Sequence, residues 1–340
     1  MAQLEDLPDE MLEKVFSYLK IGDLIHWGHV SQRMRKIRNI ESLWQSVDLK
    51  DLNNGRGSTV QTDFIVFLIE KGCKYLNLMN VELTGSLKLD QPSKLKGLNL
   101  QNCVAKREAL EEILHSCEGH LQQLSLYNII PQPVFDYHYV RRVILRNSKT
   151  LLKINLGQFQ WLKETSHLNF FSHCQKLTEI AITEDLFVIR NDQLNLMIDY
   201  FPPSLLKVDL SLCNNLSDFH IENLTQKCNK ITEISLWGTK VTNQSVISIV
   251  KNLKNSLEVL DLTACDNINL DNIFEAVGSL PKLKYLHYRV HTGINPPYNC
   301  FSLNKLCQSC ERLKNERPRL FIIGDPYSDI ATVGNFDYND

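Results

Sequence analysis

The chain has 340 residues. It contains 37 lysines and arginines and 39 aspartates and glutamates, which gives a formal net charge of −2 and a pI of about 6.6. That balance argues against a general nucleic-acid-binding protein, which needs a basic surface. The N-terminus has no signal-like pattern and no apolar run reaches the roughly 18 residues of a membrane span, so we expect a protein of the nucleus or cytoplasm that contacts no membrane.

Residues 1–50 predict three short amphipathic helices. Pro8 suits a helix start because its missing N–H has no partner to lose there, and Gly22 with Asp23 separates a second segment from the first. Ser31 is a candidate N-cap for a third, basic segment. The apolar side chains recur at helical spacing; they are Leu12, Val15, Phe16, Leu19, Leu24, Trp27, Val30, Met34 and Ile37. A module this small is marginal alone, so these side chains predict a partner or packing against the next domain.

Four short motifs in this module follow one another in a recognisable order: Leu7-Pro8, Val15-Phe16, Val30-Ser31 and Leu43-Trp44. In that order and spacing the segment resembles an F-box, the three-helix module that docks onto the adaptor of SCF-type ubiquitin ligases, with Met34 where the family usually has an aromatic residue. The alternative is an ordinary helical cap on the domain that follows. The resemblance implies adaptor contacts, without separating them from the module's own core, at Leu7, Pro8, Met11, Leu12, Val15, Leu19, Leu24, Val30 and Trp44.

From Leu49 onward a pattern of three aliphatic positions recurs, spaced as aliphatic, two residues, aliphatic, one residue, aliphatic. It begins at Cys73, Leu95, Leu121, Leu151, Leu177, Leu205, Ile231, Leu257 and Leu283. The last of the three falls at positions 182, 210, 236, 262 and 288, and a near-constant spacing in this range is the signature of leucine-rich repeats. The sequence therefore predicts an α/β solenoid whose parallel strands line a concave face and whose helices line a convex face.

These patterns divide the chain into four predicted regions: an F-box at 1–50, a linker with an irregular first repeat at 51–72, repeats at 73–290, and a C-terminal cap and tail at 291–340. Residues 319–323 (RLFII) predict one last strand. The layout resembles the S-phase kinase-associated branch of F-box/leucine-rich-repeat proteins, in which the tail turns back along the concave face. The sequence leaves open whether this tail does so.

The cysteines follow the repeat. Cys103, Cys213 and Cys265 come three residues after the last leucine of a strand, where a free thiol acts as a small buried hydrophobe, so we predict no disulfides. Cys307-x-x-Cys310 lacks the second pair that makes a zinc assignment strong, and thiols of a helical cap are the favoured interpretation. We predict no metal, no cofactor and, since no catalytic motif is present, no enzymatic activity.

Alternate strand residues on the concave face are the candidate substrate contacts. Exposed aromatic and arginine side chains are common interface anchors, and Trp237 stands where the repeat would expose it, unless it folds over a neighbouring repeat or is covered by the tail. Lysines and arginines on this face suit an acidic or phosphorylated segment, although interleaved acids such as Glu233 and Asp261 oppose a phosphate pocket. The candidate substrate-binding residues are Trp237, Tyr127, Tyr285, Arg289, Lys207 and Asp209.

The F-box resemblance implies a non-catalytic substrate receptor of an SCF-type E3 ubiquitin ligase. The F-box would bind the adaptor, and through it the cullin, the RING subunit and the E2. The repeats would bind a protein substrate, phosphorylated or unmodified, that is ubiquitinated and degraded. The alternative is a leucine-rich-repeat scaffold that binds its partner without a ligase, which predicts that the F-box surface is buried within the chain itself.

Overall fold

A computed structural model of the chain describes residues 4–49, 58–129, 137–157, 165–183, 189–268, 270–288, 312–313 and 315–323. The chain divides into two units, one running to Leu151 and the other beginning at Leu152. Within each unit, short parallel strands alternate with helices along the chain. The predicted α/β solenoid of parallel strands and returning helices is therefore confirmed.

The N-terminal module of the first unit contains three helices, α1 (Asp9–Phe16), α2 (Ile21–Trp27) and α3 (Gln32–Arg38). The predicted cap of α3 is confirmed, because the Ser31 side chain accepts a hydrogen bond of 3.2 Å from the Met34 backbone N–H. The predicted break at Gly22 and Asp23 is wrong, since α2 already includes both residues. Asp23 lies in the first turn of α2, where its charge favours the helix dipole.

The rest of the first unit is built from six strands and three helices among the described residues. Four strands pair in parallel, β1 (Ser46–Asp48), β3 (Tyr75–Asn77), β5 (Gly97–Asn99) and β6 (Gln123–Ser125). A separate parallel pair, which the sequence did not predict, joins β2 (Ser58–Gln61) to β4 (Val81–Thr84). The helices are α4 (Thr62–Glu70), α5 (Arg107–Ser116) and α6 (Tyr137–Asn147).

The second unit contains one run of parallel strands in chain order. The strands are β7 (Lys153–Asn155), β8 (Glu179–Ala181), β9 (Lys207–Asp209), β10 (Glu233–Ser235), β11 (Val259–Asp261), β12 (Tyr285–His287) and β13 (Phe321–Ile323). Its helices are α7 (Asn191–Tyr200), α8 (Asp218–Lys227), α9 (Asn243–Leu253) and α10 (Leu270–Gly278). The last strand confirms the prediction made from residues 319–323.

The aliphatic residues of the repeat form the core. The middle residue of a strand points toward the helices, so Ile180, Ile234 and Leu260 are buried, as are the leucines that follow the strands. Burying a side chain of this size contributes about 1.5–3 kcal/mol. The seven described cysteines are free and buried, as predicted. Burial raises the pKa of the Cys103 thiol to about 12, so this thiol is protonated and unreactive at neutral pH.

A tight turn follows six of the described strands. In each of these turns, the second residue after the last leucine adopts a left-handed backbone conformation. The positive φ angles are 59° at Asn80, 52° at Asn102, 47° at Asn128, 61° at Leu212, 67° at Gly238 and 55° at Ala264. Asparagine and glycine tolerate this region, whereas most residues do not. In the first unit the asparagines also form a ladder, since Asn102 Nδ2 donates to Asn80 Oδ1 at 2.9 Å and Asn128 Nδ2 donates to Asn102 Oδ1 at 2.8 Å.

We expect Gly238→Ala to destabilise the second unit by about 1–2 kcal/mol, because a side chain in the left-handed region costs that much. A Cβ at this position would also lie 2.7 Å from Cδ2 of Leu212. Native-state hydrogen exchange of β10 measures the loss. Gly22→Ala is the control, since nothing lies within 4 Å of its Cβ position. Equal protection of β10 in wild type and Gly238→Ala would contradict the prediction.

Asp218 joins two neighbouring repeats by capping the helix of the next one. Its Oδ1 accepts from the backbone N–H groups of Thr242 (2.9 Å) and Ser245 (3.1 Å) and from Ser245 Oγ (2.5 Å), while its Oδ2 accepts from Thr242 Oγ1 (2.7 Å). Partial burial acts to raise the pKa of Asp218, but these hydrogen bonds outweigh burial and hold the pKa below its ordinary value. The ionised carboxylate therefore stabilises the folded state.

The lowered pKa of Asp218 predicts an acid-sensitive contribution to stability. A depressed pKa means that the contribution is complete above the unfolded-state pKa of about 3.9 and is lost as the pH falls through the lower folded-state value. Asp218→Asn should lower the free energy of unfolding by about 2 kcal/mol at pH 7, and this difference should shrink below about pH 4. Urea denaturation at several pH values measures it, with the exposed Asp199→Asn as control. A difference that does not change with pH would contradict the prediction.

Candidate binding surfaces

The N-terminal module divides the nine candidate adaptor contacts into a core group and a surface group. Leu12, Leu24 and Trp44 are buried in the chain itself, so they support the module instead of offering a surface. Met11 is 55% exposed and Val30 is 61% exposed. The surface group is completed by residues that are at least partly exposed, namely Leu7, Pro8, Val15 and Leu19.

Tyr18 is a surface residue of this module that the sequence analysis missed. Its side chain is 79% exposed. The spacing of Met11, Val15 and Tyr18 is i, i+4 and i+7, which is a helical period, although Tyr18 itself follows the end of α1 at Phe16. That spacing was the available signal, but the buried residues Leu12 and Phe16 have the same period, so the helical pattern alone does not separate the exposed side from the buried side.

Arg33 holds the segment that precedes α1. Its Nε and Nη2 donate to Asp9 Oδ1 at 2.9 and 2.6 Å, and Nη2 also donates to the Leu7 carbonyl oxygen at 2.6 Å. Hydrogen bonds from a charged donor are stronger than neutral ones. The guanidinium on α3 therefore fixes the Leu7-Pro8 segment. The sequence predicted only that the third segment is basic, since nothing in its pattern shows which carboxylate or carbonyl Arg33 contacts.

Trp44 connects the helical module to the first repeat. The indole Nε1 donates to the Arg38 carbonyl oxygen at 2.6 Å. The ring makes edge-on contacts with Phe67 of α4 at 5.1 Å and with Phe64 at 6.2 Å between centroids. One large apolar side chain of the module, Trp44, is therefore buried against the first repeat and is not available to a partner.

The second unit presents polar side chains on the side of its strands that faces away from the helices. We call this surface the strand face; it consists of the first and third residues of β7–β13 together with Ser211, Trp237 and Thr263. Along the first positions, Lys153 pairs with Glu179 at 3.3 Å and Lys207 pairs with Glu233 at 3.1 Å. The candidate residue Lys207 is therefore ion-paired with the neighbouring strand.

A chain of hydrogen bonds connects the acids of the third positions. Asp209 Oδ1 accepts from the Ser211 N–H at 2.9 Å and from Ser211 Oγ at 2.5 Å, and Ser211 Oγ lies 2.9 Å from Ser235 Oγ. Ser235 Oγ donates to Asp261 Oδ2 at 3.1 Å. Burial raises the pKa of the Asp209 carboxyl, against the opposing effect of its bonds from Ser211. The side chain of the candidate residue Asp209 is thus held by hydrogen bonds to Ser211.

Aromatic side chains stand exposed on the same strand face. Trp237 is 37% exposed and Tyr285 is 40% exposed. Tyr285 stacks on Phe321 of β13, with ring centroids 5.3 Å apart and planes 17° apart, and Phe321 is 60% exposed. Phe321 was missed, although the predicted strand at 319–323 would have placed it beside Tyr285. The candidate Tyr127 lies partly exposed in the first unit, and Arg289 lies outside the described residues.

Neither a metal site nor a membrane-spanning helix is present in the described ranges. In those ranges no group of three or more histidine, cysteine, aspartate or glutamate side chains could hold a metal ion. The cysteines of the weak zinc candidate, Cys307 and Cys310, lie outside them. None of the helices that the structure describes has the length and apolarity needed to cross a bilayer.

Comparisons with known proteins support the prediction that the helical module is an F-box. Residues 4–50 match the family model described as F-box-like. The chain is 35% identical over 143 residues to "Antagonist of mitotic exit network protein 1" of Candida glabrata, covering 39% of this chain and 27% of that protein. It is 22% identical over 195 residues to "F-box/LRR-repeat protein 21" of Bos taurus, covering 52% of this chain and 45% of that protein. The chain thus spans less than half the length of either curated relative.

A solved structure aligns with most of this chain. "Crystal structure of Rad7 and Elc1 complex in yeast" contains a chain with a TM-score of 0.49 and 14% identity, covering 95% of this chain and 91% of that chain. The F-box-like model confirms the resemblance read from Leu7-Pro8 to Leu43-Trp44, and the curated relatives are consistent with the F-box/leucine-rich-repeat family.

Proposed function

We propose that this chain, which carries an F-box-like domain at its N-terminus, is the substrate receptor of an SCF-type E3 ubiquitin ligase. The observation that carries the proposal is the exposed apolar surface of that domain, formed by Met11, Val15, Tyr18 and Val30. This surface binds the ligase adaptor, and through it the cullin, the RING subunit and the E2. The repeats bind a protein substrate, which is ubiquitinated and then degraded.

The exposed surface supports an adaptor over a self-contained scaffold. A scaffold without a ligase predicts that the F-box surface is covered by the chain itself, yet Met11, Tyr18 and Val30 are more than half exposed. Large apolar side chains left exposed together mark a protein-interaction site. Fully burying a side chain of this size contributes about 1.5–3 kcal/mol, so covering the exposed part of each by a partner favours the complex.

The proposed mechanism is proximity. The adaptor end fixes the receptor in the ligase, and the repeat end holds the substrate near the E2, which raises the effective concentration of a substrate lysine. The chain itself makes and breaks no covalent bond in this scheme, so its role is non-catalytic. We propose the nucleus or the cytoplasm as the place where it acts, since the other ligase subunits must meet it there.

Co-expression of the full chain with the SCF adaptor, followed by size-exclusion chromatography, tests the proposal. A one-to-one complex is the expected result, and a folded chain that elutes alone would contradict it. Deleting residues 1–49 would not be a clean control, because Ser46–Asp48 pairs with Tyr75–Asn77 and Trp44 packs on α4. Point substitutions on the exposed surface are the proper control.

A further inference from the structure

The positive charges of the lysines on the strand face of the second unit are balanced by ion pairs within the chain. Each described lysine on it, or directly beside it, forms an ion pair with a glutamate one strand away: Lys153 with Glu179, Lys207 with Glu233, and Lys284 with Glu258 at 2.5 Å. A phosphate on a partner would have to displace these glutamates. The described part of this face therefore does not favour an acidic or phosphorylated segment.

Asp261 is an acid on this face for which the described residues show no ion pair with a lysine or arginine. Its oxygens accept from the Thr263 N–H at 2.9 Å and from Ser235 Oγ at 3.1 Å. Both donors are neutral groups, and Asp261 lies in a largely enclosed position. Charge on a surface with little water around it attracts an opposite charge strongly.

His287 is the titratable neighbour of Asp261 on the next strand. The parallel register of β11 and β12 places Asp261 opposite His287. Burial lowers the pKa of His287, against the opposing effect of the Asp261 charge. A neutral imidazole does not cancel the charge of Asp261. The flat ring of His287 also forms part of the strand face, beside Asp261.

Aromatic side chains flank Asp261: Trp237 lies in the turn that follows the neighbouring strand β10, and Tyr285 is the first residue of β12. Trp237 follows Ser235 of β10 by two residues, and Ser235 is the register partner of Asp261. Tyr285 lies on β12 and stacks on Phe321. Adjacent strands are about 4.8 Å apart, so a single extended segment can reach the acid and both aromatic groups. Aromatic faces bind apolar side chains and also attract cations.

We propose that this strand face binds an extended segment of a partner protein in which a lysine or arginine is flanked by apolar residues. The cation lies over Asp261, and the apolar residues pack on Trp237 and on the Tyr285–Phe321 pair. The inference rests on the proposed receptor function, since it names the chemical class of the substrate segment. The bound cation is held by the receptor, so the lysine that is ubiquitinated is a different one.

A random 12-residue peptide display library selected on the full chain tests this inference. We expect the enriched peptides to share a lysine or arginine next to an aromatic or aliphatic residue. Asp261→Asn should reduce binding of the best peptide at least tenfold, and the exposed Asp266→Asn should leave it unchanged. Tyr285→Ser combined with Phe321→Ser should also reduce binding, and since both side chains are exposed this variant should fold normally.

Three results would overturn the inference: enrichment of acidic peptides, no enrichment above a blank surface, or equal affinity in wild type and Asp261→Asn. Synthetic copies of the best peptide with glutamine or phosphoserine in place of the basic residue should bind at least tenfold more weakly. Tighter binding of the phosphoserine peptide would show that the strand face prefers an acidic segment. Adaptor co-elution is measured on the same preparation. Adaptor binding without cationic enrichment defeats only this inference, and cationic enrichment without adaptor binding defeats only the receptor proposal.

Discussion

We expect Met11→Glu combined with Val30→Glu to lower adaptor affinity at least about 100-fold, corresponding to about 2.8 kcal/mol, and to leave the melting temperature unchanged. Both side chains are more than half exposed in the chain, so the folded state loses little when they are replaced. In the complex each glutamate would place a carboxylate in an apolar contact without a partner, and burial of an unpaired charge is costly. Isothermal titration with the purified adaptor measures the change.

The matched control adds the same charge elsewhere in the first unit. Ser86→Glu combined with Gln91→Glu alters two exposed positions outside the helical module, and adaptor affinity should stay within about twofold because distant surface charges are screened by salt. Unchanged affinity in the Met11/Val30 variant would place the adaptor contact elsewhere. A fall in melting temperature would show that these two side chains support the fold.

Much of the fold could be predicted because it depends on periodic patterns. The aliphatic spacing placed the strands, and the segments between them predicted helices such as α5, α8 and α9, because both patterns are local. The separate pair of β2 and β4 was missed, since residues 58–61 carry no aliphatic repeat and pair with residues that lie 23 positions later. Pairing between segments this far apart in sequence depends on how the repeats pack in the folded protein, which a local pattern does not show.

The candidate surfaces were harder to predict because exposure depends on tertiary packing. The sequence could list Leu12, Val15, Leu24 and Trp44 as apolar, but only the structure shows that three of them are buried. Trp44 is buried by Phe64 and Phe67, about 20 positions further along the chain. The neutralised lysines of the strand face have the same cause, since their glutamates come from the neighbouring strand.

Trp44→Ala should destabilise the first unit by about 3–5 kcal/mol, the cost of removing a large buried aromatic side chain. The substitution removes the indole hydrogen bond to the Arg38 carbonyl and both ring contacts with α4. Trp44 also lies directly before β1, whose register partner is β3. The loss should therefore reach both the helical module and the first repeat.

Hydrogen exchange measured by mass spectrometry can separate this result from a local effect. In Trp44→Ala, amide protection should fall together in α1, α3 and α4, while strands β9–β11 keep wild-type rates. Trp27→Ala is the matched control, because Trp27 is only partly buried and its described ring contact is a tilted one with Phe16 at 6.3 Å. Loss of protection in α1 and α3 alone would mean that the module folds independently of α4. Joint loss would mean that the two share one core, so that a substitution at Trp44 weakens adaptor binding through folding, whereas one at Met11 or Val30 weakens it through contact.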